Sequence, residues 1–323
     1  MTRVLLTGSS GWLGRFLAPM LRDAGHDVIG LDVAPGADTD VIASVADRAA
    51  VDRVFVEHAI GAVIHAAALH KPDIARHHRQ AFVDVNVTGT LNLLEAAVAH
   101  GATRFVFTSI TSLMITQAIR DEAEDVAVWL DETSGPIAPR NIYGVTKRAA
   151  EELCRLIHVQ HDLPVIVLRT ARFFPEDDDT HRALAGENMK ANEFLHRRLT
   201  VEDCAAAHVV ALERAEAVGF GSYIVSAPTP FTRDEAAALK RDAAAVITRR
   251  FPDAAALYAA RDWRLPATIG RVYDASAIER DLGFRCATDF AAVLAALRTG
   301  ASLPFSHDPS YTSPNVRRNK SPP

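Results

Sequence analysis

The segment RVLLTGSSGWLGRFLAPMLRDAGHDVIGLD, Arg3 to Asp32, restricts the fold of this chain more than any other stretch. Val4-Leu5-Leu6 is an apolar run stopped by Thr7-Gly8, the pattern of a short strand buried on both faces of a parallel sheet. Gly8, Gly11 and Gly14 follow with the spacing G-x-x-G-x-x-G. A backbone without Cβ atoms can approach a pyrophosphate closely. Leu13, Phe16, Leu17, Met20 and Leu21 then share one helical face, so the turn opens a helix whose N-terminus directs positive potential at phosphate. His26–Asp32 is a second strand, and Asp32 stands where an acid receives the adenosine ribose hydroxyls of a dinucleotide. That carboxylate would repel a 2′-phosphate, which favours NAD over NADP. Pro19 removes one backbone hydrogen bond from the helix, at a cost of about 3 kcal/mol, and predicts a bend but not a break.

The alternation continues downstream. Strands are expected at Asp40–Ser44, Ala62–Ala66, Arg104–Ser109 and Val165–Arg169, and a seventh at Gly221–Ala227. Helical spacing falls between them, notably at 81–100 and 142–160, and a polar, acid-rich loop is expected at 120–141. The fold class is therefore α/β, a Rossmann-like doubly wound, mostly parallel sheet of about seven strands with right-handed crossovers. Past Phe174 an acidic loop (Pro175–Asp179) precedes a helix near 201–217, and prolines at 228, 230, 252 and 266 break up mixed helical patches. This divides the chain into an NAD-binding domain (1–174, with a return segment near 200–227) and a smaller, interleaved C-terminal substrate lobe (175–301). A mobile proline-rich tail is expected at 302–323.

Composition narrows the function. A net charge of −5 and the lack of a basic run interleaved with aromatics argue against nucleic acid as a partner. No apolar run approaches the ~20 residues that span a bilayer, so no membrane association is expected. Cys154, Cys204 and Cys286 show neither a disulfide framework nor zinc spacing, and no signal-peptide pattern opens the chain; a cytoplasmic protein is expected. His77-His78 and Asp177–Asp179 lack useful ligand spacing, so no metal site is expected.

The sharpest feature of the second half is NIYGVTKRAAEEL. Tyr143 and Lys147, four apart on a helix, lie side by side on one face. A free phenol, with a pKa near ~10, is a poor base at neutral pH. An adjacent ammonium is expected to stabilise its phenolate, so that the tyrosine can exchange a proton with a substrate hydroxyl.

With these motifs in place, the chain resembles the extended short-chain dehydrogenases/reductases, a group that includes NAD-dependent sugar epimerases and dehydratases. The likeness runs from Thr2 to about Leu297 through TGSSGWLG, Asp32, VIHAAA, Asn86 in NVTGT, FVFTS, YGVTK, VEDCAAAH and RVYDASAIERDLGF. It implies that Gly8, Gly11 and Gly14 hold the NAD pyrophosphate, with backbone contacts from Trp12 and Leu13, and that Asp32 binds the adenosine ribose. It implies further that Val45 keeps the apolar contact to adenine where an acid is missing at Ser44, that Ala66, Ala67 and Ala68 line the cofactor, that Asn86 sits near the central strands, and that Lys147 also reaches the nicotinamide ribose. The hydroxyl that usually completes the triad is replaced by Ile110. Ser112 is the first substitute if the chain leaves the sheet extended, because positions 110 and 112 then face the same way; Thr111 is second and Ser109 third. His65 is expected to be a satisfied core histidine, whereas His70, just beyond a strand end, would face the ligand crevice. Arg172 stands near the place of an asparagine that contacts nucleotide-sugar diphosphates in related epimerases, and Asn188, Lys190, Asn192, Arg197 and Arg198 form either an anion site or a solvated basic patch. The expected function is an NAD-dependent oxidoreductase acting on a secondary alcohol or ketone of a sugar-like small molecule. The alternatives are an NAD-dependent sugar epimerase and an NAD(H)-binding regulatory protein without catalysis. The resemblance also implies a homodimer formed through the helices near 81–100 and 142–160.

Overall fold

Strand β1 (Arg3–Thr7) lies inside the main sheet of the computed structural model, which describes residues 2–177, 184 and 186–314. In chain order the other strands are β2 (Asp27–Asp32), β3 (Val41–Ile42), β4 (Ala62–His65), β5 (Arg104–Ile110), β6 (Val128–Leu130), β7 (Val165–Thr170), β8 (Phe220–Val225) and β9 (Arg271–Tyr273). Seven of them form one sheet in the order β3-β2-β1-β4-β5-β7-β8, every neighbouring pair parallel. The direction of winding reverses between β1 and β4, and at such a point a crevice opens beyond the carboxyl ends of the strands. The glycine turn after β1 and Ala66–Ala68 after β4 flank that crevice.

The apolar strand runs are buried because helices cover both faces. Gly14–Asp23 and Val201–Val218 pack on one side with Leu6, Ile64, Val106 and Leu168. Arg48–His58, Gly89–Ala99 and Ile142–His161 pack on the other with Leu5, Val63, Phe105 and Val167. Side-chain caps start several of these helices: Asp47 accepts from Ala50 N–H, Asn141 from Gly144 N–H and Thr200 from Asp203 N–H. The first helix runs unbroken through Pro19.

Several expectations need correction. The third strand is two residues long, not five. The expected single helix at 81–100 is a short turn at Arg79–Phe82, a π-helical segment at Val83–Thr88 and an α-helix at Gly89–Ala99. The 120–141 loop contains β6, which pairs in parallel with β9 and ties this insertion to the C-terminal part of the chain. A helix at Gly186–Glu193, with little amphipathic pattern to announce it, precedes Val201–Val218. A separate apolar cluster is built from Ala127, Phe194, Leu195, Phe231, Leu239, Val293 and Phe305 among others. Phe305 lies in the tail expected to be mobile, and the described part of that tail packs instead: Phe305 stacks on Phe194 at 5.4 Å, Asp308 N–H donates to Pro175 O, and Tyr311 meets Trp12 edge-on at 5.1 Å. Residues 315–323 lie outside the described residues, as do Asp178 and Asp179 of the acidic loop. Among the described residues no helix is long and apolar enough to cross a membrane, and no group of three His, Cys, Asp or Glu is arranged to hold a metal.

Candidate active site

Backbone sterics define the turn after β1. Gly8 has φ of +77°, a region that side chains rarely adopt, and a Cβ there would lie 2.9 Å from Ala67 N. A Cβ on Gly14 would lie 2.2 Å from Gly8 O. The turn therefore folds tightly on itself and against the segment after β4, to which Thr7 Oγ1 is also tied by accepting Ala67 N–H at 3.2 Å. Gly11 N–H donates to Gly8 O at 3.1 Å, Leu13 is buried, and Trp12 is half-buried against Phe16 and Tyr311. At the end of β2 the buried Asp32 carboxylate accepts Ser10 N–H at 3.1 Å and Ala34 N–H at 3.0 Å, which fixes it beside the turn. A Cβ-free cradle at a helix N-terminus, with a held carboxylate beside it, fits a dinucleotide. Val45 is buried against Gly89, and its carbonyl accepts from Asn92.

Tyr143 and Lys147 sit in the first two turns of the Ile142–His161 helix, both buried. Lys147 Nζ donates to Thr108 O at 2.7 Å and lies 4.6 Å from the centre of the Phe107 ring. Burial pushes Lys147 down to about 7, opposed by Cys154 and Glu151. Burial also pushes the Tyr143 phenol well above its ordinary value, with Asp73 adding to the rise. The expected lowering of the phenol by its lysine neighbour is thus not what this geometry gives; the ammonium is engaged by the Thr108 carbonyl and desolvation governs the phenol. The phenol oxygen is 3.2 Å from His70 Nδ1.

The three candidate hydroxyls are spent or turned away. After β5 the chain enters a 3-10 turn at Thr111–Met114 instead of leaving extended, so the alternation that favoured Ser112 does not hold, and Ser112 is exposed. Thr111 is buried and donates to Thr170 O at 3.3 Å. Ser109 donates to Glu151 Oε1 at 2.6 Å. Ile110 packs against the apolar group of Leu69, Phe82 and Tyr143. Asn86 is buried with its amide committed: it accepts Leu69 N–H and donates to Leu69 O and Thr146 Oγ1, which makes it a brace between the β4 exit and the Tyr143 helix. His65 is satisfied in the core by Thr7 and Thr90, at 2.8 and 3.0 Å.

Residues 4–225, more than half of the chain, match the model of the NAD dependent epimerase/dehydratase family. The chain belongs to that family. Among its relatives, an L-arabinose 1-dehydrogenase (NAD(P)(+)) of Haloferax volcanii is 32% identical over 183 residues, covering 55% of this chain and 70% of that protein. UDP-glucose 4-epimerase 4 of Oryza sativa subsp. japonica is 28% identical over 185 residues, covering 51% of this chain and 48% of its own length. The chain thus spans about half the length of the rice epimerase it matches. A short-chain dehydrogenase/reductase superfamily protein from Agrobacterium tumefaciens, solved with bound NAD, shares the fold with a TM-score of 0.65 at 23% identity, covering 92% of this chain and 96% of that one. NAD is the cofactor of this epimerase/dehydratase family, and the turn at Gly8–Gly14 with Asp32 is the part of the chain that fits it.

The polar residues beyond β7 are more buried than a solvated patch. Glu193 sits among three guanidiniums, with Arg198 at 2.9 Å, Arg197 at 3.1 Å and Arg172 at 3.6 Å. Burial opposes the charge, yet Arg197, Arg172 and Arg198 together hold its carboxyl down at about 2. Arg198 also donates to Phe174 O at 2.7 Å. Lys190 donates to Pro175 O and is 2.7 Å from His307 Nδ1. The Asn188 amide is committed within the protein: it exchanges hydrogen bonds with the Arg264 backbone at 2.9 and 3.0 Å, and Asn192 donates to the same carbonyl. Sequence reasoning also missed the buried pair of Glu151 and Arg169 (2.8 Å), one turn below Lys147, and the arrival of Tyr311 at the glycine turn. The spacing Tyr143, Lys147, Glu151, a continuous i, i+4 series, was the available signal for the first.

Proposed function

We propose that the chain is an NAD-dependent oxidoreductase acting on a secondary alcohol, or its ketone, of a sugar or sugar derivative. The observation that carries this reading is the buried Tyr143 and Lys147 at the start of one helix, in a fold whose β1–β4 crevice has a dinucleotide turn at its mouth. Bound NAD supplies the hydride acceptor, or in its reduced form the donor. In its ionised form Tyr143 Oη takes the hydroxyl proton as the carbon is oxidised, and in its protonated form it gives a proton when a ketone is reduced. Lys147, anchored on Thr108 O, holds the nicotinamide ribose. Gly8, Gly11, Trp12, Leu13 and Gly14 cradle the pyrophosphate, Asp32 binds the adenosine ribose, Ala66–Ala68 line the cofactor, and Arg172 meets a polar or anionic part of the substrate.

An epimerase would use the same first half-reaction and keep the ketone for reduction on its other face; the rice relative is named for such a reaction. The Ile110 substitution motivates the third reading, an NAD-binding protein without turnover. One experiment separates them. NADH absorbance is followed with L-arabinose, D-glucose 6-phosphate and UDP-glucose, alongside product analysis for C4 inversion, in the native chain and in Tyr143→Phe. Tyrosine-dependent NADH formation supports the dehydrogenase and inversion without net NADH the epimerase; NAD binding with neither supports the binding protein. Val145, Leu156 and Val159 leave apolar surface on the Tyr143 helix, which supports the homodimer reading, and light scattering of the full chain tests it.

A further inference from the structure

The neighbour of the Tyr143 phenol oxygen is a nitrogen, Nδ1 of His70 at 3.2 Å. That imidazole is held from several sides. Its ring meets Tyr143 edge-on, with centroids 5.7 Å apart, and Phe174 edge-on at 5.5 Å. Its backbone N–H donates to Asp73 Oδ2 at 2.8 Å. The preceding residue, Leu69, is pinned at both backbone groups by Asn86, which also reaches Thr146 on the tyrosine's own helix. Ile110, where the family's hydroxyl would stand, closes the apolar cluster around the phenol. Ser109 and Thr111 donate elsewhere, and Ser112 is exposed on its 3-10 turn.

We infer that His70 is a positioning residue for Tyr143, replacing the hydroxyl lost at Ile110 by fixing the phenol and donating Nδ1–H to the phenolate. The inference rests on the acid/base reading of Tyr143 given above. A neutral imidazole is suited to the task because it carries one donor and one acceptor. Toward the phenol, Nδ1 accepts Oη–H. When Oη has given its proton to the substrate, the Nδ1–H tautomer of the ring donates to the phenolate, the imidazole gaining a proton at Nδ1 and losing one at Nε2. The ring stays neutral, the phenolate gains a donor, and protons balance. The charged groups around the ring agree. Burial and the Lys147 ammonium hold His70 down at about 4 against the pull of Asp73, so the ring is neutral at working pH. Phe174, the other ring packed against it, carries no charge.

The test uses the full chain saturated with NAD, with isotope-labelled tyrosine rings and the Tyr143 resonance assigned through Tyr143→Phe. His70→Ala should raise the apparent Tyr143 pKa by about one unit or more. In the assay above, with the sugar found to be turned over, the same variant should lower kcat by about 10- to 100-fold with KM within about twofold, and move the acidic limb of oxidation upward by the same amount. His70→Asn, whose amide can stand near the place of Nδ1, and the double variant His70→Ala/Ile110→Ser should both recover most of the shift. A Tyr143 titration that His70→Ala leaves unchanged overturns the inference, as does a shift that neither His70→Asn nor the added Ile110→Ser reverses. If no sugar is turned over in a Tyr143-dependent way, the oxidoreductase reading fails, and the ring titration still decides the coupling.

Discussion

Tyr143 is 7% exposed, and the desolvation that follows from this keeps its phenol protonated at rest. A group so placed performs acid/base work only when the local structure supplies what water no longer does. Removing Oη leaves the ring packing against Leu69 and Phe82 intact, so Tyr143→Phe should fold normally. Its turnover should fall by about 10²- to 10⁴-fold while the Kd for NAD, measured by calorimetry, stays within about twofold. The glycine turn gives the converse case, where geometry and not chemistry is at stake. In Gly14→Ala the new methyl would meet Gly8 O and Ser9 O, at 2.2 and 2.6 Å, both backbone atoms that cannot swing aside. The turn must open, at a cost of about 1–3 kcal/mol, and NAD binding should weaken at least tenfold. A Gly14→Ala variant that binds NAD as tightly as the native chain would remove the cofactor site from this turn.

At the scale of elements, the helix Gly186–Glu193 buries charged as well as apolar side chains. Glu193 ends it among Arg197, Arg172 and Arg198, and Arg198 is buried. Because the folded carboxyl titrates at about 2 and an unfolded one near 4.5, the folded state binds fewer protons between these values. Its stabilising effect is therefore fully present above about pH 4.5 and is lost as pH falls toward 2. Urea midpoints measured across that window should fall steeply in the native chain and more gently in Glu193→Gln. At neutral pH the same variant should be less stable by about 3–5 kcal/mol, since Arg198 keeps its burial and loses its counter-charge. Equal slopes in the two proteins would show that other carboxylates govern acid unfolding.

Across the whole molecule, what could be read from the sequence is what neighbours along the chain encode. β1, β2, β4, β5 and β7 emerge within a residue or so of their expected limits, because a buried parallel strand is an apolar run between breakers. The glycine turn, Asp32 and the Tyr143/Lys147 pair were legible for the same reason, as short-range spacings. Pairings between distant segments were not. His70 meets Tyr143 across 73 positions and Lys190 meets His307 across 117, and no local pattern announces either. The tail is the largest such case, since prolines and polar residues give it no periodicity although two aromatics anchor it at separate places. Phe305 joins the apolar cluster on Phe194, and Tyr311 stands against Trp12 and Arg15 at the glycine turn. These contacts predict separable effects. Phe305→Ala removes a buried ring and should lower stability by about 3–5 kcal/mol, seen as a lower Tm, with the Kd for NAD changed less than threefold. Tyr311→Ala removes a half-buried ring from the turn itself and should cost at most about 1 kcal/mol of stability. With its outer support gone, Trp12 gains freedom in the turn proposed to cradle the pyrophosphate, so NAD should bind several-fold more weakly to Tyr311→Ala, chiefly through faster release. Stopped-flow displacement of NADH measures that rate directly, and equal release from the native chain and Tyr311→Ala would show that the tail stabilises the fold without touching the cofactor site.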